Sequence, residues 1–240
     1  MSLSALPADI SAVVPAFNEE GNLEQAVARV ARALRTHARS FEIIVVDDGS
    51  RDGSAAVLDR LKLDYPQLRV VRHPVNRGYG AAIRSGFEAA RLSWVFMIDA
   101  DNQFDPEEVG ALLALAPAAD IVAGYREHRG DPLPRRLNAW AFFSLVRILF
   151  GPLVRDVNCA FKLIRRDLLA RMILTSNGAL INTEVLVLAR HLGARIAEVP
   201  VHHYPRTVGT QTGANPRVVL RAFRELFAFR ADLRKQEKAA

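Results

Sequence analysis

The sequence has 240 residues, of which 50% are hydrophobic and 24% are charged, and its formal net charge is +6. This composition is that of a globular protein and excludes low-complexity classes. The length suits one large domain. The single cysteine, Cys159, excludes an internal disulfide. The positive charge favours anionic partners, among them phosphorylated ligands, acidic membranes and nucleic acid, without choosing among them.

No segment has the features of a signal peptide or of a membrane-spanning helix. Residues 1–9 lack a basic region followed by a long apolar one, and no run reaches the ~20 apolar residues that a bilayer requires. The nearest candidate, Ala139–Val154, is short and is interrupted by Arg147. We therefore expect a cytoplasmic protein with peripheral contact at the cytoplasmic face of the membrane.

Short apolar runs alternate with helical patterns from residue 10 to residue 125. One helical pattern repeats apolar residues three or four positions apart, at Leu23, Val27, Val30 and Leu34. The apolar runs predict buried strands at Ile10–Val14, Phe41–Val46, Leu68–Val71, Trp94–Ile98 and Ile121–Ala123. This alternation predicts an α/β fold, a single domain in which helices cover both faces of a mostly parallel central sheet.

The pattern changes after residue 125. The expected elements are a polar loop at 127–136, an aromatic helix at Leu137–Phe150, a return to the sheet within 155–163, a helix at 179–192, a strand at Arg195–Val199 that ends at Pro200, a loop at 207–216 and a last helix from Arg217. We expect one domain at residues 1–216, with halves at 10–125 and 126–216, and a basic amphipathic helix at 217–240.

Polar residues directly follow four of the predicted strands. They are Phe17-Asn18-Glu19, Asp47-Asp48, the run from Asp99 to Gln103, and Tyr125-Arg126. Ligands of parallel sheets bind beyond the carboxyl ends of the strands, so these residues would share one rim. Four such strand ends favour a ligand site more strongly than any one of them does.

Asp99 and Asp101 alternate at the end of a buried strand. Two carboxylates so placed repel each other, and a cation or hydrogen-bond donors must stabilise them. Their oxygens, with another from Gln103, suit Mg²⁺ or Mn²⁺, which can bridge the phosphates of a diphosphate leaving group. An isolated Asp-x-Asp also occurs in loops and helix caps, and a pair such as Asp47-Asp48 also occurs in turns.

Other features narrow the ligand class. Arg126 could hold a diphosphate in a bidentate manner. Gly78 and Gly80 resemble a phosphate loop, but there is neither a G-x-G-x-x-G motif after a strand nor a Walker lysine, which argues against a Rossmann cofactor site and a P-loop NTPase. Carboxylates on the rim would repel phosphodiesters, so we expect no nucleic-acid partner. A nucleotide-binding module without catalysis is the alternative from another class.

Four motifs then occur in order along the first half. They are Val14-Pro-Ala-Phe-Asn-Glu19, Ile44-Val-Val-Asp-Asp-Gly-Ser50, Asn76-Arg-Gly-Tyr-Gly80 and Ile98-Asp-Ala-Asp-Asn-Gln103. In this series the chain resembles the family 2 inverting glycosyltransferases of the GT-A fold, which is Rossmann-like. It is most similar to their polyprenyl-phosphate branch, which includes dolichol-phosphate mannose synthase-like enzymes. The resemblance covers residues 10–210.

The resemblance implies a role for each motif. The nucleotide of a nucleotide-sugar donor would contact Pro15, Phe17, Glu19, Val46, Asp48, Gly78 and Asp99. The metal and the diphosphate would be held by Asp99, Asp101 and Gln103. The phosphate groups, including that of the acceptor, would contact Arg126, Arg135, Asp156 and Arg206. Glu184 matches an acidic position that lines the site in relatives, and it joins Asp99, Asp101 and Arg126 as a catalytic candidate.

Two segments depart from the family pattern. Asp156 begins the counterpart of Asp-Pro-x-Ser-Gly-Phe-(Arg/Lys), in which the proline, serine and glycine are replaced by Val157, Asn158 (with Cys159 at the next step) and Ala160. Members of the branch also carry a lysine shortly after a late Arg-x-x-Gly motif. This chain has that motif at Arg206–Gly209, but no lysine closely follows it. The departures concern the acceptor loop and one phosphate contact.

The resemblance implies inverting transfer of a hexose from a nucleotide sugar of the GDP-mannose or UDP-glucose type to a polyprenyl phosphate. A lipid phosphate is already anionic and needs no general base. The alternative is a hydroxyl acceptor, for which Glu184 or Asp156 would be the base. The helix at Leu137–Phe150 fits either the core or a membrane surface. The arginines of the last helix fit either a solvated face or contact with anionic lipid.

Overall fold

The computed structural model describes residues 8–127, 133–206, 208 and 216–239, without the side chains of 133–140, 216–222 and 236–239. Its strands are β1 (Ala8–Ala16), β2 (Ala38–Asp47), β3 (Leu68–Arg72), β4 (Trp94–Met97), β5 (Ile121–Arg126), β6 (Lys162–Arg165) and β7 (Ile196–Val201). Its helices are α1 (Glu20–His37), α2 (Ser54–Asp64), α3 (Tyr79–Ala89), α4 (Val109–Leu115), α5 (Leu133–Phe150), α6 (Arg166–Leu169), α7 (Ile181–His191) and α8 (Pro216–Ala239).

All of these strands form one sheet, in the order β3-β2-β1-β4-β6-β5-β7. Neighbouring strands run parallel except at β6, which is antiparallel to both β4 and β5. The prediction of an α/β domain with a mostly parallel sheet is therefore confirmed. Because crossovers between parallel strands are right-handed, α1 and α2 lie on one face of the sheet and α3 lies on the other.

The chain reverses its course across the sheet at β1. It moves outward from β1 through β2 to β3, and after α3 it returns to the other side of β1 as β4. The segment after β4 packs against α1, the helix that follows β1: Arg29 lies 3.4 Å from Asp105, and Arg32 lies 3.1 Å from Glu107. The predicted site residues that follow β1 and β4 therefore lie close together at the carboxyl ends of the strands.

The central strands are covered on both faces. Four successive residues of β2 are fully buried, namely Ile43, Ile44, Val45 and Val46. Since successive side chains of a strand point to opposite faces, both faces must meet helices, which explains the continuous apolar run in the sequence. Each side chain buried in this way contributes roughly 1.5–3 kcal/mol relative to exposure.

Several predicted boundaries in the second half are wrong. Residues 133–136 belong to α5 rather than to a loop. Residues 155–161 form no strand, and the return to the sheet begins only at Lys162. Strand β7 continues through Pro200 to Val201, which is possible because it is an edge strand, where a proline can turn its missing N–H side to solvent. Residues 128–132, 207 and 209–215 lie outside the described residues.

Helices α5 and α8 pack against each other through aromatic rings. The ring centroids of Phe142 and Phe223 are 5.7 Å apart, and those of Phe150 and Phe229 are 5.6 Å apart. Leu226 of α8 is fully buried. The aromatic helix that the sequence predicts therefore has one face in the core.

Apolar side chains are also exposed on this helix pair. Ile148 of α5 is 78% exposed and Phe227 of α8 is 54% exposed. Among the residues that the structure describes, none of the helices combines the length and the apolar character needed to cross a membrane.

Candidate active site

The predicted polar residues lie at the carboxyl ends of four strands. Glu19 comes after β1, Asp48 directly follows β2, Asp99 comes after β4, and Arg126 ends β5. Because β1, β2, β4 and β5 run in the same direction, their ends share one rim of the sheet, as the sequence predicts. The sheet topology thus brings acidic and basic groups from distant segments to one place.

Two asparagines form the turns beside the acidic residues. Asn18 and Asn102 have left-handed φ angles of 55° and 60°, which asparagine adopts more readily than most residues. The Oδ1 atom of Asn18 accepts a hydrogen bond from the Arg51 amide at 2.8 Å, and the Asn102 side chain donates to the Asn22 carbonyl at 3.1 Å. These bonds fix the loops that carry the site.

Asp99 lies close to a second carboxylate, that of Asp101. The Tyr79 hydroxyl donates a hydrogen bond to its Oδ1 atom at 2.9 Å. Burial, followed by the charge of Asp101, raises the pKa of Asp99 to about 7, against the opposing effects of Tyr79, Lys162 and Arg126. Burial also raises the pKa of Asp101. The two carboxylates therefore carry more negative charge than their surroundings stabilise, and a cation would relieve it.

Arg206 reaches this acidic group from the far end of the chain. Its Nη2 atom donates to both carboxylate oxygens of Glu19 at 2.7 Å, and its Nη1 atom lies 3.7 Å from Oδ2 of Asp101. Gln103 holds the segment before Arg206, because its side-chain amide donates to the Tyr204 carbonyl at 2.9 Å. Predicted donor, metal and phosphate contacts are thus neighbours in space.

Arg126 and Asp156 form a buried bidentate ion pair. The Nε atom of Arg126 donates to Oδ2 of Asp156 at 2.7 Å, and its Nη2 atom donates to Oδ1 at 3.1 Å. The side chains are only 12% and 5% exposed. Two residues predicted separately as phosphate contacts therefore bind each other and join β5 to the loop before β6.

Replacing Asp156 with alanine should lower the free energy of unfolding by about 3 kcal/mol, because the change takes the carboxylate away from the buried Arg126 guanidinium. Urea denaturation at neutral pH measures this loss. The matched control is Asp64→Ala at an exposed position of α2, for which we expect a change within about 0.5 kcal/mol. A loss no larger than the control's would show that the pair contributes nothing to stability.

Asp48 is engaged by the loop that follows β3. Its Oδ1 atom accepts a hydrogen bond from the Arg77 amide at 2.9 Å, and its Oδ2 atom accepts one from the Gly78 amide at 2.8 Å. The Nδ1 atom of His73 lies 2.6 Å from Oδ1. The carboxylate predicted to contact the donor nucleotide therefore anchors the glycine loop in this structure.

Gly78 has a steric requirement of its own. Its φ angle is 102°, and a Cβ atom there would lie 2.4 Å from the carbonyl oxygen of Asn177. The next glycine, Gly80, donates its amide to the same carbonyl at 2.9 Å. The glycine loop is thus pressed against the segment before α7, rather than open around a phosphate as in a P-loop.

Glu184 anchors that same segment. It is fully buried, and its Oε1 atom accepts hydrogen bonds from the Thr175 amide at 2.8 Å and the Thr175 hydroxyl at 2.9 Å. Its Oε2 atom accepts one from the Ser176 amide at 2.9 Å. The carboxylate predicted as a catalytic candidate therefore has three donors within the protein.

The remaining predicted residues differ in exposure. Phe17 is 39% exposed on the rim, whereas Pro15 is buried. Val46 is fully buried and faces Gly86 of α3, so its side chain lies in the core rather than on the rim. The side chain of Arg135 lies outside the described residues.

Sequence reasoning did not select three polar residues that contact the site. Tyr79 binds Asp99, His73 binds Asp48, and the buried Lys162 interacts electrostatically with Asp99. Tyr79 lies within the Asn76-Arg-Gly-Tyr-Gly80 motif, which was the available signal. Lys162 is the last position of the segment that begins at Asp156, which was its signal, whereas His73 depends on tertiary contacts that no local pattern displays.

The carboxylate oxygens of this site fit a divalent cation that takes only some of its ligands from the protein. The described residues contain no group of three histidine, cysteine or acidic side chains arranged to hold a metal. Asp99 and Asp101 could supply two carboxylates, and Mg²⁺ is commonly held by one or two carboxylates together with substrate phosphates. The raised pKa of Asp99 agrees with a site that needs a positive charge.

The chain is similar to curated bacterial transferases. It is 33% identical over 203 residues to an undecaprenyl-phosphate 4-deoxy-4-formamido-L-arabinose transferase of Shewanella sediminis, which covers 83% of this chain and 60% of that protein. A protein of the same name from Pseudomonas paraeruginosa is 34% identical over 203 residues, with 83% and 59% covered. The chain therefore spans about 60% of the length of these relatives.

Solved structures share the fold at lower identity. Mannosyl-3-phosphoglycerate synthase from Rubrobacter xylanophilus superposes with a TM-score of 0.70 at 21% identity, over 96% of this chain and 75% of that one. Glucosyl-3-phosphoglycerate synthase from Mycobacterium tuberculosis, in complex with Mn²⁺ and UDP-glucose, gives a TM-score of 0.65 at 24% identity, over 84% and 73%. These proteins establish the GT-A architecture predicted from the motifs.

The family model described as Glycosyl transferase family 2 matches residues 11–173. This range contains the four motifs and the ion pair between Arg126 and Asp156. With the carboxylates gathered on the rim of a mostly parallel sheet, the match confirms the predicted family: the chain belongs to glycosyl transferase family 2.

Proposed function

We propose that this chain transfers a sugar from a nucleoside-diphosphate sugar to a polyprenyl phosphate, with inversion at the anomeric carbon. The bond from that carbon to the diphosphate oxygen breaks, and the nucleoside diphosphate leaves with the electron pair. A bond from the same carbon to an oxygen of the acceptor phosphate forms. The names of the curated relatives, which are undecaprenyl-phosphate transferases, support this acceptor class.

The donor side of the proposal is supported by the acidic group on the rim. Asp99 and Asp101 would hold a divalent cation, Mg²⁺ or Mn²⁺, with Gln103 at the edge of the same loop. When bound, such an ion neutralises negative charge that develops on the leaving diphosphate. Arg206 would add positive charge beside it, since its guanidinium already lies 3.7 Å from Asp101.

One observation carries the choice of a lipid phosphate over a hydroxyl acceptor. A hydroxyl acceptor needs a general base, and both candidates are engaged: Glu184 accepts three hydrogen bonds while fully buried, and Asp156 is paired with Arg126. A phosphate acceptor is already anionic and needs only positioning. The geometry therefore favours the acceptor that requires no base.

The identity of the transferred sugar is the most specific part of the proposal. The resemblance to the family implies a donor of the GDP-mannose or UDP-glucose type, whereas the relatives are named for 4-deoxy-4-formamido-L-arabinose. We propose that the sugar pocket lies beside Asp99 and the Arg126–Asp156 pair, and that the donor nucleotide is recognised at the carboxyl ends of β1 and β2. The identities of the sugar and of the nucleotide are measured in one binding screen.

The test combines a binding screen with a transfer assay. Thermal unfolding is followed with UDP, GDP and their sugars, with and without Mn²⁺, because a ligand that binds the folded state raises Tm. The best donor is then incubated with undecaprenyl phosphate or with the non-phosphorylated lipid alcohol. We expect a metal-dependent Tm shift with one nucleotide and transfer to the phosphate alone. Transfer to the alcohol at a similar rate would contradict the proposed acceptor.

We also propose peripheral contact with the membrane that holds the acceptor. The exposed Ile148 and Phe227 on the α5–α8 pair support it, as does the net charge of +6. Flotation with anionic vesicles at low salt should carry the protein upward, and Ile148→Ser with Phe227→Ser should weaken this. The matched control is Leu63→Ser, at a residue of α2 that is 83% exposed. A chain that stays at the bottom of the gradient contradicts the proposal.

A further inference from the structure

Lys162, the first residue of β6, is a buried cation among acidic site residues. It is 1% exposed, and its ammonium donates to the carbonyl of Val157 at 3.3 Å, to the carbonyl of Cys159, and to Oδ1 of Asn182 at 3.2 Å. An ammonium has three N–H donors, so these three acceptors satisfy it. The lysine thereby fixes the turn at 157–159 to helix α7.

Asn182 continues the connection toward the donor side. It is 5% exposed, and it lies between the Lys162 ammonium and Tyr79, with whose hydroxyl its side chain interacts. The Tyr79 hydroxyl in turn donates to Asp99 at 2.9 Å. A continuous row of polar side chains therefore runs from the turn beside Asp156 to the first carboxylate of the predicted metal site.

The charge of Lys162 acts in both directions along this row. It interacts electrostatically with Asp99 and with Asp156, the carboxylates on the donor side and in the loop before β6. Burying an ammonium costs several kcal/mol that an apolar side chain of similar volume would not. Packing alone therefore does not account for a lysine at this position, whereas a role in the site does.

We propose that Lys162 and Asn182 are positioning residues that hold Asp99 through Tyr79 and couple the 157–159 turn to the donor site. This inference rests on the proposed function only for its effect on metal binding. The coupling itself is a property of the metal-free protein. Neither residue touches the reacting atoms in this account, and each acts through another side chain.

Cys159 offers a direct measurement, because it is the single cysteine of the chain and is fully buried in the coupled turn. Burial raises the pKa of its thiol to about 11, so labelling by a disulfide reagent requires local opening. Lys162→Met should speed labelling about tenfold, the factor given by ~1.4 kcal/mol of lost local stability. The matched control, Lys62→Met on exposed α2, should leave the rate unchanged.

A double-mutant cycle then tests the coupling. Tyr79→Phe, at the Asp99 end, should speed labelling of Cys159 in the wild type and add little in the Lys162→Met background, because the row is already broken. Tyr65→Phe serves as its control. If Tyr79→Phe has no effect, or multiplies the rate equally in both backgrounds, the proposal is overturned. Asn182→Ala replaces Lys162→Met in the cycle if that variant does not fold.

Mn²⁺ alone is the probe for the functional consequence. Electron paramagnetic resonance counts the free ion, and we expect Lys162→Met and Asn182→Ala to bind it about 10-fold to 100-fold more weakly than the wild type. Affinities equal to the wild type would overturn the positioning role. If the wild type itself does not bind Mn²⁺, the metal in the proposed function fails, while the labelling cycle still decides the coupling.

Discussion

Asp101→Asn should reduce sugar transfer by about 1000-fold, because it removes one of the two carboxylates proposed to hold the cation on the leaving diphosphate. Asparagine keeps the size of the side chain and one oxygen but loses the charge. Transfer is measured with the donor identified by the thermal screen and undecaprenyl phosphate. Binding of Mn²⁺ to the same variant should weaken in parallel.

The fold should survive this change. Burial raises the pKa of Asp101, which means that its charge is costly in the metal-free protein, and a neutral side chain should be tolerated. The control is Asp64→Asn on the exposed end of α2, which should transfer sugar at the rate of the wild type. Retention of more than a tenth of the activity by Asp101→Asn would show that the metal assignment is wrong.

Asp99→Asn should stabilise the metal-free protein at pH 8 by roughly 2–4 kcal/mol and leave its stability unchanged near pH 4. The folded-state pKa of Asp99 is raised to about 7 from an ordinary value of 3.8. Below the ordinary value, both states hold the proton and no penalty arises. As the pH rises toward 7, the unfolded chain releases its proton first, so the wild type loses stability.

Urea denaturation with a chelator at both pH values measures this difference. Asparagine keeps an oxygen that can accept the hydrogen bond from Tyr79, so the difference between the two pH values isolates the charge of Asp99. The Asp64→Asn control should show no comparable dependence. An Asp99→Asn effect of equal size at pH 4 and pH 8 would contradict the raised pKa. A more stable but inactive variant would show that the site keeps a destabilising charge for its function.

The part of the fold that could be predicted is the part with local signals. Strands such as β2 are buried on both faces and therefore read as apolar runs. Asp48 and Asp99 were found because they come directly after such runs. The sheet then placed these strand ends on one rim, which followed from the alternation of strands and helices.

The part of the site that could not be predicted from the sequence depends on contacts between distant segments. Arg206 binds Glu19 across 187 positions of sequence, and Lys162 of β6 donates a hydrogen bond directly to Asn182 of α7. The periodicity of the sequence does not predict such pairs, because each partner alone is an ordinary charged or polar residue. The engagement of Asp48 by the glycine loop was hidden for the same reason.

The reversed strand β6 has a consequence for how this protein is made. Among the described strands, β5 pairs with β6 and β7 alone, and β4 meets the far half of the sheet only through β6. A nascent chain that has emerged from the ribosome as far as residue 125 can align β3, β2, β1 and β4, but its newest apolar strand has no neighbour. That strand must wait until residues 162–201 have been synthesised, so the two halves at 10–125 and 126–216 should fold as one unit.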